Sequence, residues 1–255
     1  MHCQPARAAH PVASYYERYW SDEGFFPKGM MSPGLEALYR SCIPPGATVL
    51  DVGCGDGQTS GAWLAANGRK YRGVDVSSNA VAEARRAGLD AIAIQDASLL
   101  PFQSATFDAV VCIEVLEHLF DPAAALAEMC RVLKPGAVFI ATVPNTVHWR
   151  NRLDFFVLGR WNPLGDTLSV EEPWRDPHIR FFNMASMRRL VESSNLRLVS
   201  IRGQGGGFLK SIPWLRQFSG DRSSALYRLL EHALPGLFGY RIEVICRKDA
   251  ADVSR

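Results

Sequence analysis

Val49-Leu50-Asp51-Val52-Gly53-Cys54-Gly55-Asp56-Gly57 decides the fold. An apolar run ends on an acidic residue, Asp51, and three glycines follow at alternate positions. Residues 58–67 are compatible with a helix. A strand, a glycine turn and a helix in this order build the crevice at a strand's carboxyl end in an open α/β sheet. The glycines let the backbone turn with positive φ and let a ligand approach the main chain closely.

Working outward, strand and helix signals alternate. Pro44-Pro45-Gly46 is a turn that marks entry into the core. Strands are expected at about 48–52, 71–76, 91–95, 109–113 and 138–143. Ser77 or Ser78 can cap the helix after the second strand, and Gly88 can end it. Asp121-Pro122 offers an N-cap and a proline at the first helical position. The helix it opens carries Leu126, Met129, Cys130 and Leu133 on one face and stops at Lys134-Pro135-Gly136. A further helix near 184–194, with Asn183 as cap, and strands at 197–202 and 240–247 complete the pattern. Five strand–helix alternations predict a doubly wound α/β sheet. Residues 1–45 read as an aromatic, in part helical N-terminal extension to a domain over 46–255. Residues 145–182 and 203–238 stand outside the alternation and read as insertions.

Composition narrows the function classes. A chain of 255 residues with 47% hydrophobic and 21% charged residues is ordinary for a globular domain. A net charge of +2 without a dense Lys/Arg block argues against a nucleic-acid platform. The six cysteines include no Cys-x-x-Cys pair and read as small buried hydrophobes of a reducing compartment. No signal-peptide core or span-length apolar run is visible, so a cytoplasmic location is expected.

The glycine spacing separates two ligand classes. Dinucleotide sites use Gly-x-Gly-x-x-Gly and set a pyrophosphate on the helix N-terminus. Here the third glycine comes one residue early, Gln58 stands where it would fall, and Asp51 would face the pyrophosphate. A carboxylate suits a cationic ligand such as S-adenosylmethionine, which carries an ammonium and a sulfonium. The stretch resembles motif I of class I S-adenosylmethionine-dependent methyltransferases. That resemblance implies a seven-stranded Rossmann-like sheet with an antiparallel seventh strand. It also implies that Asp51, Gly53, Cys54, Gly55 and Gly57 form the loop holding the methionine and ribose parts of the cofactor.

Downstream residues extend the resemblance over about 46–145. Asp75 and Val76, in Gly-Val-Asp-Val-Ser, sit at the end of the second strand. An acidic residue roughly 20 positions after the glycine loop can accept hydrogen bonds from both ribose hydroxyls. The resemblance gives Asp96 and Ala97 the adenine ring. It places Ile113 and Glu114 near the cofactor's ammonium. Glu114, Glu117 and His118, if helical, would share one face. Two carboxylates and an imidazole can hold a hard divalent metal. The cluster is similar to one in ubiquinone-biosynthesis O-methyltransferases, and His178 could be its later histidine. The expectation is nonetheless that Glu114 serves the cofactor and that no metal is held. His118 and His178 are the candidates for a general base toward an acceptor oxygen or nitrogen.

The insertion 145–182 combines Trp149, Phe155, Phe156, Trp161, Trp174, Phe181 and Phe182 with Arg150, Arg152, Arg160, Arg175 and Arg180. Aromatic walls and planar guanidinium groups suit a small-molecule, glycan-linked or lipid-linked acceptor bearing a carboxylate, phosphate or sugar. Gly203-Gln204-Gly205-Gly206-Gly207 reads as a flexible loop between strands rather than a phosphate cradle. The apolar stretch 224–237 would cover the sheet or make a homodimer contact. Pro144-Asn145, His148-Trp149-Arg150 and Pro177-His178-Ile179 resemble MetW-like proteins of methionine biosynthesis. That likeness implies a competing reading, a non-catalytic or regulatory partner of another enzyme.

Overall fold

The computed structural model describes residues 15–17, 20–21, 31–161, 178–205 and 229–250. Its elements are α1 (Pro33–Cys42), β1 (Thr48–Val52), α2 (Gly61–Ala66), β2 (Lys70–Asp75), α3 (Ser78–Arg86) and β3 (Ala91–Ala93). β4 (Phe107–Ile113), a 3₁₀ turn (Leu116–His118), α4 (Pro122–Val132), β5 (Leu133–Pro144) and α5 (Trp149–Leu158) follow. The remainder is α6 (Met184–Glu192), β6 (Leu196–Gln204), α7 (Pro235–Phe238) and β7 (Arg241–Lys248). Seven strands lie in the order β3-β2-β1-β4-β5-β7-β6, parallel except for β7, which runs antiparallel to both β5 and β6. The strand order reverses between β1 and β4, the switch point at which doubly wound sheets open a crevice.

Local chemistry sets most boundaries. Ser32 caps α1, Ser77 caps α3, and Asp121 accepts from Ala123 and Ala124 N–H at the head of α4, with Pro122 in the first turn. Asn183 and Ser186 form a reciprocal capping box on α6. α2 starts at Gly61, three residues later than expected. Asp56 Oδ1 accepts from Gln58 N–H, an Asx turn that delays the helix. β5 starts earlier than expected, because Leu133 already pairs with Phe107 before the register shifts at the Pro135-Gly136 corner. α1 lies within the N-terminal extension, with Leu35, Leu38 and Tyr39 buried on one face.

Each face of the sheet carries its own core. One joins Leu50, Val110 and Phe139 to Leu126 and Met129 of α4 and Met187 and Val191 of α6. The other joins Val49, Val111 and Ile140 to Leu38 and Tyr39 of α1, Leu64 of α2 and Val81 of α3. Cys112 and Cys246 are fully buried in β4 and β7, and none of Cys42, Cys54, Cys112, Cys130 and Cys246 is in a disulfide. The ends of the first insertion are stitched together. Asn145 bridges Phe182, and the N–H and Oγ1 of Thr146 both donate to the Phe182 carbonyl. No helix among the described residues is long and apolar enough to cross a membrane. Trp174, Arg175, Gly206, Gly207 and residues 224–228 lie outside the described residues.

Candidate active site

A cleft of about 740 Å³, counting its open mouth, lies at the carboxyl edge over the β1–β4 switch point. Gly53 and Gly55 form its floor with φ of +74° and +55°, a backbone that an L side chain rarely adopts. Asp75 and Val76 line one wall, Ala97 and Ile94 the next, and Glu114, Val115, His118 and Leu119 the far end.

The Asp75 carboxylate braces the loop it faces. One oxygen accepts from Gly55 N–H at 2.9 Å and the other from Ser77 N–H at 2.9 Å. Burial raises its pKa, against the hydrogen bonds from Ser77, Gly55 and Val76. Other expected cofactor residues sit beneath the cleft rather than on its surface. Asp51 is buried, and one of its oxygens accepts from Tyr71 Oη–H at 3.1 Å. Burial pushes its carboxyl up to about 7, with the Tyr71 hydrogen bond opposing and the Asp75 charge reinforcing. Cys54 packs toward Gly73 and Tyr71, and Gly57 turns the chain against Leu89. Asp96 is exposed and accepts from Ser98 N–H at 2.8 Å, while Ile113 ends β4 behind Glu114.

Residues 114–118 are not one helical face. Glu114 has φ of +56°, a left-handed conformation for a residue with a side chain. It is held there by N–H donation to the Thr142 carbonyl at 2.9 Å. Its carboxylate accepts from Thr142 Oγ1 at 2.8 Å and lies 3.5 Å from Arg241 Nε, at the start of β7. The tight turn at Leu116–His118 then buries Glu117 and turns His118 to the cleft.

His178 reaches this turn from the far end of the insertion. The Glu117 carbonyl accepts from Ile179 N–H at 3.0 Å and Arg180 N–H at 2.9 Å. The rings of His118 and His178 stand 4.6 Å apart, and each Nε2 lies 3.8 Å from Glu117 Oε1. Neither Glu117 carboxylate oxygen has a hydrogen-bond partner among the described residues, although the side chain is 1% exposed. Burial, then the nearby Glu114 charge, holds its pKa well above the usual carboxylate range, with Arg241 opposing. A buried carboxyl with neither oxygen hydrogen-bonded costs free energy unless a ligand or proton satisfies it. The chosen ligand atoms of Glu117, His118 and His178 all lie within 4.8 Å of one another.

The aromatic N-terminal segment reads from the sequence as an acceptor-pocket or subunit-contact element; that its Tyr16 and Trp20 line this cleft was not assigned. Their i, i+4 spacing, which puts both on one helix face, is the signal that could have found them.

Comparison with known proteins agrees with this geometry. The methyltransferase domain family matches residues 50–141. The chain belongs to the class I S-adenosylmethionine-dependent methyltransferases. Its relatives include the ubiquinone biosynthesis O-methyltransferase of Hahella chejuensis, 36% identical over 197 residues, 73% of this chain and 79% of that protein. The enzyme of the same name from Xylella fastidiosa strain 9a5c is 41% identical over 146 residues, 53% of this chain and 58% of the relative. The chain spans little more than half the length of the Xylella relatives it matches. Among solved structures, a methyltransferase of Methanosarcina mazei superposes with a TM-score of 0.58 at 20% identity, covering 86% of this chain and 99% of that one. The [4+2]-cyclase SpnF does so with 0.57 at 18% identity, covering 94% and 93%. A cyclase and a methyltransferase on one fold leave the reaction to be argued from the site.

Proposed function

We propose that the protein transfers a methyl group from S-adenosylmethionine to an oxygen or nitrogen of a small-molecule, glycan-linked or lipid-linked acceptor. The observation that carries this reading is the position of His118. It lines the cleft of the glycine loop and Asp75, and its ring stands tilted beside that of His178 next to the buried Glu117. The cleft therefore ends at groups that can manage an acceptor's proton.

The residues fit the cofactor in its expected parts. Asp75 retains a lone pair for the ribose hydroxyls beyond its backbone hydrogen bonds from Gly55, Ser77 and Val76. Ala97 and Ile94 offer an apolar slot for the adenine, Asp96 precedes Ala97 in the chain as the candidate for its amino group, and Glu114 offers a carboxylate to the ammonium. Asp51, Cys54, Gly57 and Ile113 act from below by shaping the loop and supplying negative charge. When bound, S-adenosylmethionine supplies an electrophilic methyl on a positively charged sulfur. The cleft holds the acceptor in line, and proximity of this kind is worth on the order of several kcal/mol of barrier. A neutral imidazole of His118 or His178 takes the acceptor proton, and Glu117 steadies the resulting imidazolium.

The unpartnered carboxylate of Glu117 supports a second reading, contrary to the expectation of no metal. One carboxylate and two imidazoles suit a divalent cation, held by Glu117, His118 and His178. Such an ion would supply Lewis-acid stabilisation of an acceptor oxyanion. The likeness to ubiquinone biosynthesis O-methyltransferases favours oxygen as the acceptor atom.

Calorimetric titration with S-adenosylmethionine and S-adenosylhomocysteine tests the core of the proposal. Both bind the wild type, and Asp75→Ala weakens them by at least about tenfold, the loss of one to two hydrogen bonds to a charged group. Absence of binding at millimolar ligand would leave the non-catalytic partner reading in its place. Unchanged affinity in Asp75→Ala would remove the ribose assignment.

A further inference from the structure

Glu17, in the N-terminal extension, is bound at the head of α3. Its Oε1 accepts from Ser78 N–H at 2.7 Å and Ser78 Oγ–H at 2.6 Å. Its Oε2 accepts from Asn79 N–H at 3.1 Å and Ser77 Oγ–H at 3.2 Å, and Asn79 Nδ2 donates to the Glu17 carbonyl. A carboxylate placed on free N–H groups at a helix N-terminus gains from both hydrogen bonding and the helix dipole. Ser77 joins this contact to the cofactor wall, because its N–H donates to Asp75 while its hydroxyl donates to Glu17.

The neighbours of Glu17 reach into the cleft. Trp20 lies on the glycine loop so closely that a methyl built on Gly55 would stand 2.8 Å from its ring. Tyr16 meets His118 edge to face, with ring centroids 6.0 Å apart. Both line the cleft.

We propose that residues 15–17 and 20–21 form the outer wall of the cofactor site, Tyr16 and Trp20 touching the bound cofactor and Glu17 acting as the positioning residue that fastens them there. The inference rests on the cofactor reading above. It adds a wall from outside the methyltransferase domain core and links it to Asp75 through Ser77.

Two measurements on the full chain test it. S-adenosylhomocysteine is titrated calorimetrically into wild type, Glu17→Ala, Glu17→Gln and Asn79→Ala. Tryptic cleavage after Arg18 is timed with and without the same ligand. Glu17→Ala should weaken binding about tenfold, with Glu17→Gln and Asn79→Ala intermediate. Cleavage of ligand-free Glu17→Ala should be severalfold faster than that of wild type, and the ligand should slow cleavage in wild type far more than in the variant. A merely structural residue would not change how much the ligand protects that site. Wild-type affinity in Glu17→Ala, or equal ligand protection in both, would overturn the proposal while leaving the cofactor reading standing. A wild type that fails to bind the ligand would instead overturn the cofactor reading itself.

Discussion

Asp51 is a carboxyl placed where its charge is opposed until a cation arrives. Burial pushes it up to about 7 from an ordinary 3.8, so in the ligand-free protein it keeps its proton through the acid range. Between those two values the native state holds a proton that the unfolded chain has lost. Stability from this group therefore falls as pH rises through the window, and the loss is complete above about 7. Asp51→Asn removes that dependence while keeping an acceptor for Tyr71. Thermal melts of the ligand-free variant should exceed wild type at pH 8 by on the order of a few degrees and show little gain at pH 5. Binding should move the other way: wild type should hold S-adenosylmethionine more tightly at pH 8 than at pH 6, and the variant should show a flat profile. Asp51 was legible in the sequence as an acid ahead of a glycine turn. Its place beneath the loop was not, because Tyr71 and Gly73, which receive it and Cys54, arrive from the next strand.

At the scale of elements, His148 ties the start of α5 to the segment before β7. It is 2% exposed, accepts from Arg150 N–H as the α5 cap, and packs on Tyr240. Burial lowers its pKa to about 4, against a hydrogen bond to the Phe238 backbone and with Arg150 adding to the fall. The neutral ring is the folded form, so its contribution is present above pH 6.5 and drains away as pH drops toward 4. His148→Asn keeps a cap acceptor and cannot take the proton. Its melting temperature should change less between pH 7 and pH 4.5 than that of wild type, measured by circular dichroism. Capping signals such as Asp121-Pro122 and Asn183 were readable because a helix start needs only three or four consecutive residues. The turn at Leu116–His118 was not. Glu114 adopts its left-handed backbone under the hold of Thr142, a residue of β5 with no local signature.

For the whole molecule, the decisive meeting is between residues some 60 positions apart. Glu117 and His178 come together because the Ile179 and Arg180 N–H groups donate to the Glu117 carbonyl, and no periodicity in either segment announces that contact. Titration with Mn²⁺, followed calorimetrically, should show a divalent site in wild type that Glu117→Gln abolishes. A wild type that takes up no Mn²⁺ would leave the imidazole-base reading alone. The strand order carries one more consequence. β7 fills the slot between β5 and β6 although it follows both in the chain, and its first residue, Arg241, stands beside Glu114. During synthesis on the ribosome, β5 and β6 must therefore wait as open edges until β7 emerges. The nascent chain has a sheet with a gap and an unfinished cleft, and closing the gap and completing the active site become a single late event.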